Sequence, residues 1–248
     1  MIARRIALVF LLSLHALLVG CATVGTGADP RDPWEGYNRQ VWRFNEALDQ
    51  AVFQPVARGY QAAVPEIVRV GVGNFFGNVS DVWSFVNNAL QLKPLESAQT
   101  LARVGINTTV GLLGLIDVAS SVDLPRYRED FGQTLGFWGL PSGPYLILPL
   151  LGPSTLRDTA AFPVDRQGDL VGWVQDNPVR YSLVGLRLVD LRADVLQAGR
   201  VIEGAALDKY TFVRDAYLQR RRGVADLPKT RPEPEERFDL PEKPAPAR

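Results

Sequence analysis

Between Phe131 and Leu156 the chain reads FGQTLGFWGLPSGPYLILPLLGPSTL, twenty-six residues without an Asp, Glu, Lys or Arg but with five glycines and four prolines. The stretch is too apolar for an open solvent loop. Pro141, Pro144, Pro149 and Pro153 also prevent it from forming the continuous run of about 20 apolar helical residues that crosses a bilayer. Two settings suit it: a loop threading a soluble core, or irregular backbone held at membrane depth by protein that satisfies its polar groups. Gly132, Gly136, Gly139 and Gly143 are spaced four, three and four. If the stretch is helical, they form a smooth face for close packing.

The amino terminus bears on this choice. Met1 to Arg5 is short and basic, Ile6 to Val19 is an apolar run of signal-peptide length, and Leu18, Val19 and Gly20 precede Cys21, the single cysteine. This resembles a bacterial lipoprotein signal, which implies removal of residues 1–20 and acylation of Cys21 as the new first residue. The alternative is an ordinary secretory signal followed by an incidental thiol, which an oxidising compartment explains poorly. Ala22, rather than an aspartate, follows the cysteine, and this favours delivery to the outer membrane.

Cleavage would also take away Met1, Arg4, Arg5 and His15. Starting from 27 basic and 27 acidic residues, the loss of two arginines leaves a formal charge of −2 and no histidine, methionine or free thiol. Ser-His-Asp and Cys-His catalysis and His/Cys metal sites are therefore excluded. In GLPSG, Ser142 lies one place too late for a nucleophile elbow. Only Lys93 and Lys209 lie outside the tail as partners for a Ser-Lys pair. The absence of a basic surplus argues against nucleic acid.

The mature chain suits one domain: a tether over residues 21–31, a helical body over 32–222, and a Pro- and charge-rich tail over 223–248 expected to be disordered. Asp32, Pro33 and Glu35 form a capping-box-like helix start. Trp34, Tyr37, Val41, Phe44, Leu48 and Val52 then mark an aromatic stripe read as core. Pro55 and Pro65 each restart the chain. Val68, Val72, Phe75, Phe76, Val79, Val82, Trp83, Val86 and Leu90 cover more than half of the next helix, which is either packed on two sides or turned partly to lipid. Pro94 begins a further helix. The run Thr109 to Ala119 contains one charge, Asp117, read first as a cap or turn residue. Asn177 and Pro178 begin a long helix with Tyr181, Val184, Leu188, Leu191, Val195, Ala198, Val201 and Ala205 as its buried stripe, and a last helix ends in Arg220, Arg221 and Arg222. The sequence contains no convincing strand pattern.

DPWEGYNRQVWRFNEALD, PVARGY, NFFGNV, NTTVGLLGLIDVAS, EDFGQTLGFWGLPSGPYLILPLLGPSTLRD and VRDAYLQRRR together resemble the MlaA/VacJ outer-membrane lipoproteins in order and spacing, over roughly Asp32 to Arg222. The resemblance implies an all-α, ring-shaped domain lying in the inner leaflet of the outer membrane, lipid-anchored on the periplasmic side. It implies an amphipathic channel that takes misplaced phospholipid from the outer leaflet and passes it to a soluble periplasmic carrier. It further implies a trimeric porin as partner, an ATP-driven inner-membrane complex downstream, and neither cofactor nor enzymatic activity.

A head group in such a channel needs polar lining, for which Asn74, Asn78, Asp117, Arg157 and Asp158 are candidates, with Phe75 and Phe76 as a gate or packing pair. For each of these, a cap, turn or core role is the competing explanation. At the level of the whole protein, the alternatives are a structural lipoprotein bracing porins without moving lipid and, less favoured, a lipid-modifying enzyme with paired carboxylates.

Overall fold

A computed structural model describes residues 29–196 and 208–222. The signal, Cys21, the positions Ala198, Val201 and Ala205, and the tail from 223 lie outside the described residues. The described chain is predominantly helical: α1 (Glu35–Leu48), a π-helical turn (Asp49–Phe53), α2 (Gln54–Ala63), α3 (Glu66–Leu90), α4 (Pro94–Thr109), α5 (Val118–Ser121), α6 (Phe131–Phe137), α7 (Leu156–Gly168), a 3-10 turn (Leu170–Trp173), α8 (Asn177–Asp194) and α9 (Lys209–Arg220). Between α6 and α7 lies an antiparallel hairpin of β1 (Tyr145–Leu148) and β2 (Gly152–Thr155).

The hairpin corrects the expectation of a strand-free chain. Four-residue strands are too short to show alternation, and Pro153 stands inside β2, opposite Ile147. Proline is compatible with an edge strand because no ladder bond is asked of it there. On the other side of β1 there is no third strand among the described residues. Instead α1 presents Asn38 and Asn45, two turns apart, and their amides act as peptide groups. Asn38 Nδ2 donates to the Tyr145 carbonyl at 3.1 Å, and the Ile147 N–H donates to Asn38 Oδ1 at 2.8 Å. Asn45 Nδ2 donates to the Leu148 carbonyl at 3.0 Å, and the Leu150 N–H donates to Asn45 Oδ1 at 2.9 Å. The exposed edge of an apolar hairpin is thus satisfied by a helix.

The glycine row divides. Gly132 and Gly136 are buried in α6, and a Cβ at Gly132 would fall 2.5 Å from Asp158 Oδ1. Gly139 ends the helix with φ +95°, and the Leu140 N–H reaches back to the Leu135 carbonyl at 2.9 Å, a Schellman closure. Gly143 (φ +69°) sits in the turn before β1. A Cβ at Gly139 would meet nothing within 4 Å, so its role is backbone conformation and not the close packing expected of it. Pro55 likewise does not restart the chain: the helix runs through it by way of the π-turn, whereas extended Val64 before Pro65 does break it.

An aromatic core sits where β1, α1 and α9 meet. Tyr145, Ile147, Tyr210 and Leu218 are buried, with Val41, Trp42 and Tyr217 packed against them. Tyr145 and Tyr210 meet edge to face at 6.3 Å, as do Trp42 and Tyr210 at 6.1 Å. Asp32 is not the expected cap: α1 begins at Glu35 with Trp34 at the cap position and no side-chain cap hydrogen bond, because the Asp32 carboxylate is engaged elsewhere. That fully buried carboxylate accepts from Asn38 Nδ2 at 2.7 Å, from the Tyr210 hydroxyl and from Arg214 Nη1 at 3.5 Å, tying the first helix to the last.

Candidate lipid path: a polar interior under an apolar surface

Elsewhere the usual sorting of side chains is reversed. On α3 the buried residues are Phe76, Asn78, Asp81, Ser84, Asn87 and Asn88, and on α4 they are Ser97, Thr100, Arg103 and Asn107. Their spacings of three and four place them along the facing sides of the two helices. Their outward apolar residues include Ile67, 82% exposed, Val70, Leu95 and Leu101, and exposed Leu92, Val110 and Leu113 continue this surface in the turns that follow the two helices. The stripes read as core on the other helices behave likewise. Trp34, Tyr37, Phe44 and Val52 on the α1 side and Tyr181, Val184, Leu188, Leu191 and Val195 on the α8 side are exposed, while Asn38, Asp190 and Ala193 are buried; of the α1 stripe, Val41 does pack against the core as expected and Leu48 is half-buried. No described helix is long and apolar enough to cross a membrane.

The polar interior is held by ion pairs that water cannot replace. Arg103 is 1% exposed and donates from Nη2 to both oxygens of Asp117 at 2.9 and 3.0 Å and from Nη1 to the Leu124 carbonyl. Asp81 lies between two guanidiniums, accepting from Arg126 Nε at 2.9 Å with Arg103 Nε 3.9 Å away. Burial pushes the Asp81 carboxyl up, against the pull of Arg126 and Arg103. Asp117 shows the other balance. Burial raises it, but hydrogen bonds from Ser120 and Asn107 and the charge of Arg103 prevail and bring it down to about 2.

Three cavities follow α3 from Arg69 to Lys93. The largest, about 550 Å³, lies between α3, the segment carrying Arg126 and Arg128, and α8. The second, about 330 Å³, is built around Trp83, Asp165 and Phe162. Both are lined by Ser80 and Arg187, whose Nη2 donates to Ser80 Oγ at 3.0 Å. The third, about 190 Å³, adjoins Lys93, Arg157 and the arginines ending α9, and shares Glu129 with the second. Trp83 Nε1 and the Phe131 N–H both donate to Asp165 Oδ1 at 2.8 Å, which fixes α7 against α3 at the middle of the series.

Of the residues singled out in the sequence, Asn74 and Phe76 line the largest cavity and Arg157 the smallest. Phe75 packs edge to face on Phe76 at 5.2 Å behind that wall. Asn78 faces α4, donating to Thr108 Oγ1 at 2.9 Å. Asp117 caps α5 and holds Arg103 and Asn107. Asp158 is buried, accepts from the Tyr217 hydroxyl at 2.8 Å and lies 3.0 Å from Arg157 Nε. Asn78, Asp117 and Asp158 are thus interior links and line none of these three cavities. Sequence reasoning missed Arg126, Arg187, Asp190 and Asp194. The signal was available on α8, where Arg187, Asp190 and Asp194 recur at three and four, but it was obscured by the apolar stripe beside it.

A protein-family model described as MlaA lipoprotein matches residues 30–223. The intermembrane phospholipid transport system lipoprotein MlaA of Escherichia coli (strain K12) is 35% identical over 222 residues, 88% of each chain. That of Haemophilus influenzae is 32% identical over 209 residues, covering 82% of this chain and 83% of the relative. A solved structure, from work on the structural basis for maintenance of bacterial outer membrane lipid asymmetry, superposes with a TM-score of 0.68 at 33% identity, covering 77% of this chain and 97% of that one.

Proposed function

This chain belongs to the MlaA lipoprotein family, and from that premise we propose that it conducts phospholipid away from the outer leaflet of the outer membrane towards a periplasmic lipid carrier, maintaining lipid asymmetry. The observation that carries the reading is the reversed sorting of side chains on helices that also bear a row of cavities sharing lining residues. An apolar exterior on so many helices has no stable place in water, whereas acyl chains solvate it at no cost. The charged cavity walls, with Arg126, Arg128, Arg187, Glu129 and Asp190, give a phosphate-bearing head group polar partners while its tails stay against apolar surface, and the buried polar side chains between α3 and α4 hold those helices together.

In this reading Cys21 is the lipidated anchor, and the helical body lies in the inner leaflet of the outer membrane. A trimeric porin and a soluble carrier are its partners, and the path needs no covalent step. Deleting the gene and measuring phospholipid exposed at the cell surface tests the proposal. A rise that the full-length gene reverses is expected, and an unchanged level would overturn conduction.

A further inference from the structure

Helix α3 carries Gly73 and Gly77 one turn apart in the wall of the largest cavity. Over Gly73 stand two carboxylates of the α8 side: a Cβ there would lie 3.4 Å from Asp190 Oδ2 and 3.9 Å from Asp194 Oδ2. Over Gly77 stands a guanidinium, with Arg126 Nη1 2.9 Å from the corresponding point. The two missing side chains let charges of opposite sign reach the same helix, separated along its axis by about 6 Å, four residues of rise.

Among the described residues the acidic end has no ion-pair partner, and at the basic end Asp81 answers Arg126 but no carboxylate answers Arg128. Asp190 Oδ1 accepts from the Tyr60 hydroxyl at 2.9 Å, but among the described residues no cation lies within ion-pair distance of Asp190 or Asp194. Arg69 lies on the same wall without pairing with either carboxylate, and burial, with the neighbouring charge of Asp194, holds the Asp190 carboxyl above its ordinary value. At the other end, Arg126 spends Nε on Asp81, and its buried Nη2 has no hydrogen-bond partner. Arg128, exposed on the same rim, forms no ion pair among the described residues.

We propose that this cavity is a subsite for a zwitterionic head group, a phosphate ester carrying a primary amine two carbons away. Arg126 and Arg128 receive the phosphate, and Asp190 and Asp194 receive the ammonium. The proposal rests on the conduction reading and adds a selectivity to it. A phosphoglycerol head would satisfy the arginines but leave buried Asp190 and its exposed neighbour Asp194 without a cation. A quaternary amine would bring the charge without N–H donors, so it should rank between them.

The test uses the purified full chain in detergent. Short-chain phosphatidylethanolamine, phosphatidylcholine and phosphatidylglycerol are titrated separately, and binding is followed by calorimetry. The ethanolamine lipid is expected to bind about tenfold more tightly than the glycerol lipid, the equivalent of one charge-assisted contact. Asp190→Asn with Asp194→Asn should remove that preference while glycerol-lipid binding remains. Asp194→Asn alone should narrow it, and it serves if the double variant unfolds, since Asp194 takes no side-chain hydrogen bond here. Equal affinities in the parent protein, or a preference that survives in folded variants, would overturn the subsite and leave conduction standing. Binding of none of the three would overturn both.

Discussion

Around the hairpin, side chains are sorted as in a water-soluble protein: Tyr145, Ile147, Tyr210 and Leu218 form an apolar centre, and the Tyr210 hydroxyl is tied to Asp32, although the buried Tyr145 hydroxyl has no hydrogen-bond partner. Between α3 and α4 the centre is Asn, Ser, Asp and Arg, and the apolar side chains point out. On the proposed reading, the difference reflects two surroundings. Where water is available outside, burying apolar area drives packing. Where hydrocarbon surrounds the helices, apolar burial provides no such drive, and hydrogen bonds and ion pairs hold the helices together.

The sharpest way to break this comparison is Arg103→Leu. In an ordinary core a leucine would be welcome, but here it leaves Asp117 without its guanidinium and removes one of the two cations beside buried Asp81. A loss of about 3–5 kcal/mol is expected. Thermal unfolding in detergent checks it, and a neutral or stabilised variant would mean that the polar interior does not hold α4. On the hairpin side, Asn38→Ala removes the bonds to Tyr145 and Ile147 together with a ligand of Asp32, for about 1–3 kcal/mol. Faster backbone amide exchange confined to β1 would separate this edge effect from general loosening.

A third prediction uses acid. The folded-state carboxyl of Asp117 is depressed from 3.8 to about 2, so its contribution is fully present above pH 3.8 and fades as pH falls through about 2. Melting curves taken across that window should fall less steeply for Asp117→Asn than for the parent. Parallel curves would show that the Arg103 cluster is not what acid disrupts. The smallest effect on stability belongs to Ile67→Gln. At a site 82% exposed, the change should alter unfolding in detergent by no more than about 0.5 kcal/mol while weakening association with phospholipid vesicles. A clear loss of thermal stability would mean that Ile67 packs against protein.

Much of the helical frame was legible because capping and proline signals are local. Pro65 and Pro94 mark the starts of α3 and α4, and Asn177 opens α8 as expected. The hairpin was not legible. Its strands are short, and they persist because Asn38 and Asn45, more than a hundred residues away, complete their edge. Helical periodicity located a stripe on α1 and on α8 but assigned it to the core, since the spacing of apolar residues is the same whether they face a neighbour or a lipid. The candidate site was legible in part: Asn74, Phe76 and Arg157 reach cavities, whereas Asp117 is a cap whose carboxylate a sequence cannot distinguish from a channel-lining one.

The sequence by itself determined that this is a chain of helices with a stretch at 131–156 that can neither span a bilayer as a helix nor sit comfortably in water, and that it has a single histidine and a single cysteine, both within the first 21 residues. Only the tertiary structure decided which side of each helix is inside. That choice depends on contacts between residues far apart in the chain, such as Arg103 with Asp117 or Arg187 with Ser80, and on which solvent each outward face meets. Local propensity and periodicity carry no record of either.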